Sequence, residues 1–69
     1  MEVLRDLRIK ARLSHSELGR LANVDGKTVK RAEEGKPVQE LKAIAIVEAL
    51  GNAVGKKLSV SDIEGLSIY

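Results

Sequence analysis

The residues of this chain best suited to chemistry lie in one stretch, Gly26-Lys27-Thr28-Val29-Lys30-Arg31-Ala32-Glu33-Glu34. If the stretch is helical, Val29, Ala32 and Glu33 share an inner side, and Lys27, Lys30, Arg31 and Glu34 lie outside. Three cations and the Thr28 hydroxyl on one rigid element donate hydrogen bonds to anionic oxygens and to base edges, so the stretch suits a groove in DNA. The alternative is a merely solvated helix face. Catalysis finds no comparable set. The chain has a single His and no Cys, and its scattered carboxylates form no pair, so no catalytic residue, metal site or cofactor is expected. His15 reads as a surface residue at a helix start.

The charge distribution agrees. The formal net charge is only +2. Residues 1–36 hold nine Lys/Arg against six Asp/Glu, whereas residues 37–69 hold three against four. The positive excess lies beside the basic stretch and favours a polyanionic partner.

The surrounding sequence must supply the elements that position these side chains. Residues 2–12 read as a first helix, with Leu4, Leu7 and Ala11 on one face and Arg8 among them. Ser14-His15-Ser16-Glu17 has the form of a capping box, and a second helix runs on to Ala22 with Leu18, Leu21 and Ala22 inward. Asn23 suits a left-handed turn residue, Val24 can plug between two helices, and Asp25 caps a third helix over 26–33. Gly35 and Pro37 close that helix. A fourth helix spans about 38–50, apolar without a break from Ala43 to Val47, with Gly51 as the residue after its end. Ser59-Val60-Ser61-Asp62 can cap a short fifth helix ending near Gly65. Arg8 and Glu33 both fall on faces that should be buried. An unpaired buried charge is costly, so the two are expected to pair, the alternative being that both reach out to water.

At this point residues 4–51 resemble the helix-turn-helix domain of the phage-repressor/Cro (Xre-type) family. Leu4, Leu7 and Arg8 match its opening spacing. Leu13-Ser14-His15-Ser16-Glu17-Leu18-Gly19 matches its Leu-Ser-Gln-x-x-Leu-Ala, with Gly19 as the small residue where the helices cross. Asn23 stands for the family's turn glycine and Val24 for the apolar residue after it; Glu33, Gly35 and Pro37 are similar to its helix-3 ending, and Leu50-Gly51 to its helix-4 ending. The resemblance implies an all-α, compact five-helix lambda-repressor-like domain, with the helix-turn-helix proper over about 14–34. It implies sequence-specific binding of double-stranded DNA by a transcriptional regulator, a repressor by preference, whose third helix lies in the major groove.

Carried over by position, the DNA-contacting set is His15, Gly26, Lys27, Thr28, Lys30, Arg31 and Lys36. Lys27 and Arg31 would face base edges, with Arg31 suited to the O6/N7 pair of guanine. Thr28 would touch a thymine methyl or a phosphate. Lys30 and Lys36 would sit near phosphates, and His15 with the start of helix 2 would anchor another. Two departures shift the readout. The family's first base-facing Gln is Gly26 here, which offers no side chain, and its first helix-2 Gln is His15. Specificity is therefore expected on Lys27 and Arg31. The Arg8–Glu33 pair would link helix 1 to helix 3 structurally.

The 69 residues allow one domain with one small core of Leu, Ile, Val and Ala, since Phe and Trp are absent and Tyr occurs once. No membrane-spanning run, signal peptide or small-molecule site is evident, and a cytoplasmic location is expected. A homodimer on a palindromic operator is the usual solution for so small a reader. The tail over 52–69 carries Val54, Leu58, Val60, Ile63, Leu66 and Ile68, an apolar surplus suited to the dimer contact; the alternative is that these residues cover helices 1 and 4. A rival reading on the same fold is a protein-interaction module of the antitoxin or adaptor kind.

Overall fold

The computed structural model describes residues 2–69. A two-residue strand, β1 (Glu2–Val3), leads into α1 (Leu4–Lys10), α2 (His15–Ala22), α3 (Gly26–Glu33) and α4 (Glu40–Val54). A single 3-10 turn over Val60–Asp62 and a second short strand, β2 (Ile63–Glu64), complete the chain. The domain is mostly helical, with α4 packed against α1, α2 and α3. Its core comprises Leu4, Leu7, Leu18, Ala22, Val29, Ala32, Val38, Ala43, Ile46, Val47, Leu50 and Ile63. Burial of this aliphatic set supplies the main driving force for folding.

Among the described residues, four α-helices stand where five are expected. The Ser59–Asp62 capping box does form, with Ser59 N donating to Asp62 Oδ2 at 2.9 Å, but it seals only one turn. Ile63 then turns extended, at φ −101° and ψ 122°, and β2 pairs in parallel with β1, Glu2 opposite Ile63 and Val3 opposite Glu64. The same pairing delays α1 to Leu4. At its far end α1 stops at Lys10, and Arg12 adopts a left-handed φ of 59°.

The boundaries of α4 shift by the same kind of long-range cause. Val38 is extended rather than helical, because it bridges to Ile68. Gly51 lies inside the helix, not after it. A Cβ there would come within 2.7 Å of Lys56 O, so the residue is small to let the returning chain pass. The left-handed terminator is Gly55, at φ 72°.

Leu21 is also displaced from its expected place, being 60% exposed. The buried arc of α2 is Leu18, Gly19 and Ala22. With about 100° between successive residues, Leu21 lies roughly 105° from the centre of that arc.

The tail's apolar residues serve their own chain. Ile63 is a core residue, and Leu58, Val60 and Leu66 pack against the core, whereas Ile68 lies at the surface. Ile63→Val should therefore lower stability by about 1 kcal/mol through a lost buried methylene. Urea unfolding checks this, and an unchanged midpoint would show that the tail contributes no packing.

Candidate nucleic-acid interface

Local signals within three or four residues set both ends of α2 and the start of α3. Ser14 Oγ accepts from Glu17 N at 3.0 Å, and Ser14 N donates to Glu17 Oε1 at 2.9 Å. The bond from Ser14 N, with the Ser14 hydroxyl as a second donor to the carboxylate, favours its charged form and holds the Glu17 pKa below its ordinary value. Asn23 ends α2 with φ 60° and ψ 41°, in the left-handed region. Val24 N then donates to Gly19 O at 2.8 Å. Asp25 Oδ1 accepts from Lys27 N at 2.9 Å and so caps α3.

The sign of the pH effect follows from Glu17. Its folded pKa is depressed, so its contribution is complete above the ordinary glutamate value and is lost as pH falls through the lowered one. Glu17→Gln is expected to flatten the acid limb of a thermal-stability profile. An acid limb as steep as that of the parent chain would show that the box adds nothing to pH dependence.

Two features fix α3 against the body. The first is close backbone approach. A Cβ on Gly19 would meet Val24 O at 2.7 Å and Gly26 N at 3.0 Å. The second is a set of polar contacts on Glu33. Arg8 Nε donates to Glu33 Oε2, Arg8 Nη2 lies 3.3 Å from Oε1, and His15 Nε2 lies 3.2 Å from Oε1. Arg8 Nη1 donates to Leu13 O at 2.8 Å. The side chains of Arg8 and Glu33 are only 13% and 6% exposed. α1, α2 and α3 thus meet at one carboxylate.

The positions carried over to DNA contact separate into two groups. Lys27, Lys30, Arg31 and Lys36 are exposed, and Thr28 is half-buried beside them. Lys36 Nζ lies 3.4 Å from Glu34 Oε1, a surface pairing of small energetic weight. Arg31 Nη2 donates to Pro37 O at 3.2 Å, so its guanidinium leans toward the end of the helix.

The other group does not sit as expected. Gly26 is no open gap on the outer face: a Cβ there would meet Ser16 Cα at 3.2 Å and Ser16 N at 3.3 Å. The residue is small because α3 starts against the backbone of α2. His15 is half-buried, and its ring is engaged by Glu33 instead of standing free at the helix start.

The structure also brings in residues that sequence reasoning missed. Arg5 lines an open cleft of about 320 Å³ with Arg8, His15, Lys30, Glu33 and Glu34. Gln39, Lys42 and Tyr69 line another beside Thr28 and Arg31. No sequence spacing links these positions to α3; tertiary packing alone assembles them. Among the described residues, no group of three or more His, Cys, Asp or Glu side chains is placed to hold a metal ion, and no helix is long and apolar enough to cross a membrane.

Comparison with family models, with curated proteins and with solved structures finds no match to this chain.

Proposed function

We propose that this chain is a sequence-specific double-stranded DNA-binding protein of the lambda-repressor-like, helix-turn-helix kind. It acts as a transcriptional regulator, a repressor by preference, in the cytoplasm. The observation that carries the reading is α3 itself. Its inner side is held by Val29, Ala32 and Glu33, while Lys27, Lys30 and Arg31 stand exposed on its free side. A single α-helix with its side chains fits the major groove, about 12 Å wide. In this arrangement Lys27 and Arg31 reach base edges, and Lys30 and Lys36 lie near phosphates. The domain measures 27 × 24 × 18 Å. Two copies fit side by side on half-sites about 34 Å apart, as a homodimer on a palindromic operator requires.

Selection of bound sequences from random duplex DNA, followed by affinities across a salt series, tests the reading. Arg31→Ala should reduce the ratio of selected to scrambled affinity by about tenfold, or about 1.4 kcal/mol. This is the lower part of the range for a bidentate base contact, because Arg31 must first release Pro37 O. Lys30→Ala should weaken both duplexes alike and reduce the salt slope by about one unit. An unchanged ratio for Arg31→Ala removes the base-reading role.

A protein-interaction module is the second reading. The observation that favours it is a shallow, mainly apolar cleft of about 260 Å³ formed by Leu21, Ala49, Asn52 and Ala53. Weak, salt-insensitive duplex binding would select this reading instead.

A further inference from the structure

We propose that the tail segment Ser67–Tyr69 is part of the nucleic-acid face, and that Tyr69 and Lys42 together hold a phosphodiester of the duplex that α3 enters. The inference rests on the reading of α3 as a DNA-docking helix and assigns a further contact to that same face.

The first support is the backbone. Val38 N donates to Ser67 O and Tyr69 N donates to Val38 O, both at 3.1 Å. Val38 itself is 3% exposed. A buried anchor therefore holds the segment beside the loop that follows α3. Tyr69 is not left to wander from the domain; its position is tied by a two-bond ladder one residue-pair long.

The second support is the chemistry of the cleft this creates. It is an open cleft of about 190 Å³ lined by Thr28, Arg31, Gln39, Lys42 and Tyr69, together with Pro37 and Val38. Every one of those five side chains can donate a hydrogen bond. Two of the five are cations, and no Asp or Glu side chain lines the cleft. The other basic cleft beside α3 contains both Glu33 and Glu34, which oppose an anion. Of the two, the cleft at Tyr69 is the one without an acidic side chain in its lining.

The third support is placement. Thr28 and Arg31 belong to α3 and also line this cleft, so an anion held here lies against the docked helix. The Arg31–Pro37 hydrogen bond turns the guanidinium toward the same loop. The chain's single aromatic residue is 72% exposed at this place, although Ile63, Leu58, Val60 and Leu66 of the same tail pack inward. A phenol offers an O–H donor to a phosphate oxygen and a flat face to the adjoining sugar.

The composition makes the test direct. With no Phe or Trp and one His, the aromatic proton signals of the chain come from Tyr69 and His15 alone. Duplex selected by the full chain is added at low salt and the Tyr69 ring signals are followed. They should shift and saturate with the binding isotherm. Tyr69→Phe should weaken selected and scrambled duplex alike, by roughly two- to tenfold, as for loss of one hydrogen bond, with the salt slope unchanged. Lys42→Ala should weaken both and lower the slope by about one unit. Both side chains are exposed, so both variants should melt like the parent. An unshifted Tyr69 ring, or Tyr69→Phe affinities equal to the parent's while the parent binds duplex, overturns this inference and leaves the α3 reading standing. A parent chain that binds no duplex overturns the α3 reading, and this one with it.

Discussion

Glu33→Ala should destabilise the domain by about 3 kcal/mol, at the low end of what removing one partner of a buried ion pair costs. Glu33 receives Arg8 through two nitrogens and His15 through a third. Without the carboxylate, Arg8 keeps only its bond to Leu13 O, and its positive charge stays within a side chain 13% exposed. For a chain this short, each kcal/mol corresponds to roughly 4–8 °C in Tm, so a loss of at least ~12 °C is expected. A double variant, Arg8→Met with Glu33→Leu, should recover most of the loss, since replacing both partners by apolar groups removes the stranded charge. Urea unfolding of the three chains separates the outcomes. A Glu33→Ala midpoint close to the parent's would show that Arg8 turns to solvent at no cost, and that the pair does not hold α3.

The second large effect is expected at Gly19. Alanine is the better helix former by about 1 kcal/mol, so an unconstrained site would gain from Gly19→Ala. Here the added methyl would sit 2.7 Å from Val24 O and 3.0 Å from Gly26 N. Both are backbone atoms, and neither can rotate away. To make room, the Asn23–Asp25 turn and the start of α3 must move off α2. Overpacking of this kind costs up to about 3 kcal/mol, which leaves a net loss of about 2 kcal/mol. Under the proposed DNA-docking role of α3, the variant should also lose duplex affinity beyond what its folded fraction explains, because α3 carries Lys27, Lys30 and Arg31. Gly19→Ala as stable as the parent, with full affinity, would mean that the two helices tolerate separation.

What the sequence by itself determined is whatever depends on near neighbours. Ser14 with Glu17, Asn23 and Asp25 act within three residues of their own positions, and their roles in α2 and α3 are legible directly. The outer face of α3 follows from helical periodicity. The Arg8–Glu33 contact was legible for a different reason: two opposite charges on otherwise apolar faces must find partners, and each can supply the other.

Tertiary structure decided everything that depends on distant strands of chain. Glu2–Val3 could continue α1 by pattern; pairing with Ile63–Glu64 makes it a strand. Gly51 has the sequence look of a helix end, yet a close pass by Lys56 places it inside α4 and passes the terminating role to Gly55. Gly26 looks like a missing side chain on the outer face until Ser16 is seen behind it. His15 looks free at the start of α2 until Glu33 is seen within reach of its ring. Tyr69 has no local signal at all: only the Val38 ladder, spanning some thirty residues of intervening chain, brings it to α3. Backbone hydrogen bonds between remote segments carry almost no side-chain pattern, and for that reason periodicity and capping rules cannot reveal them.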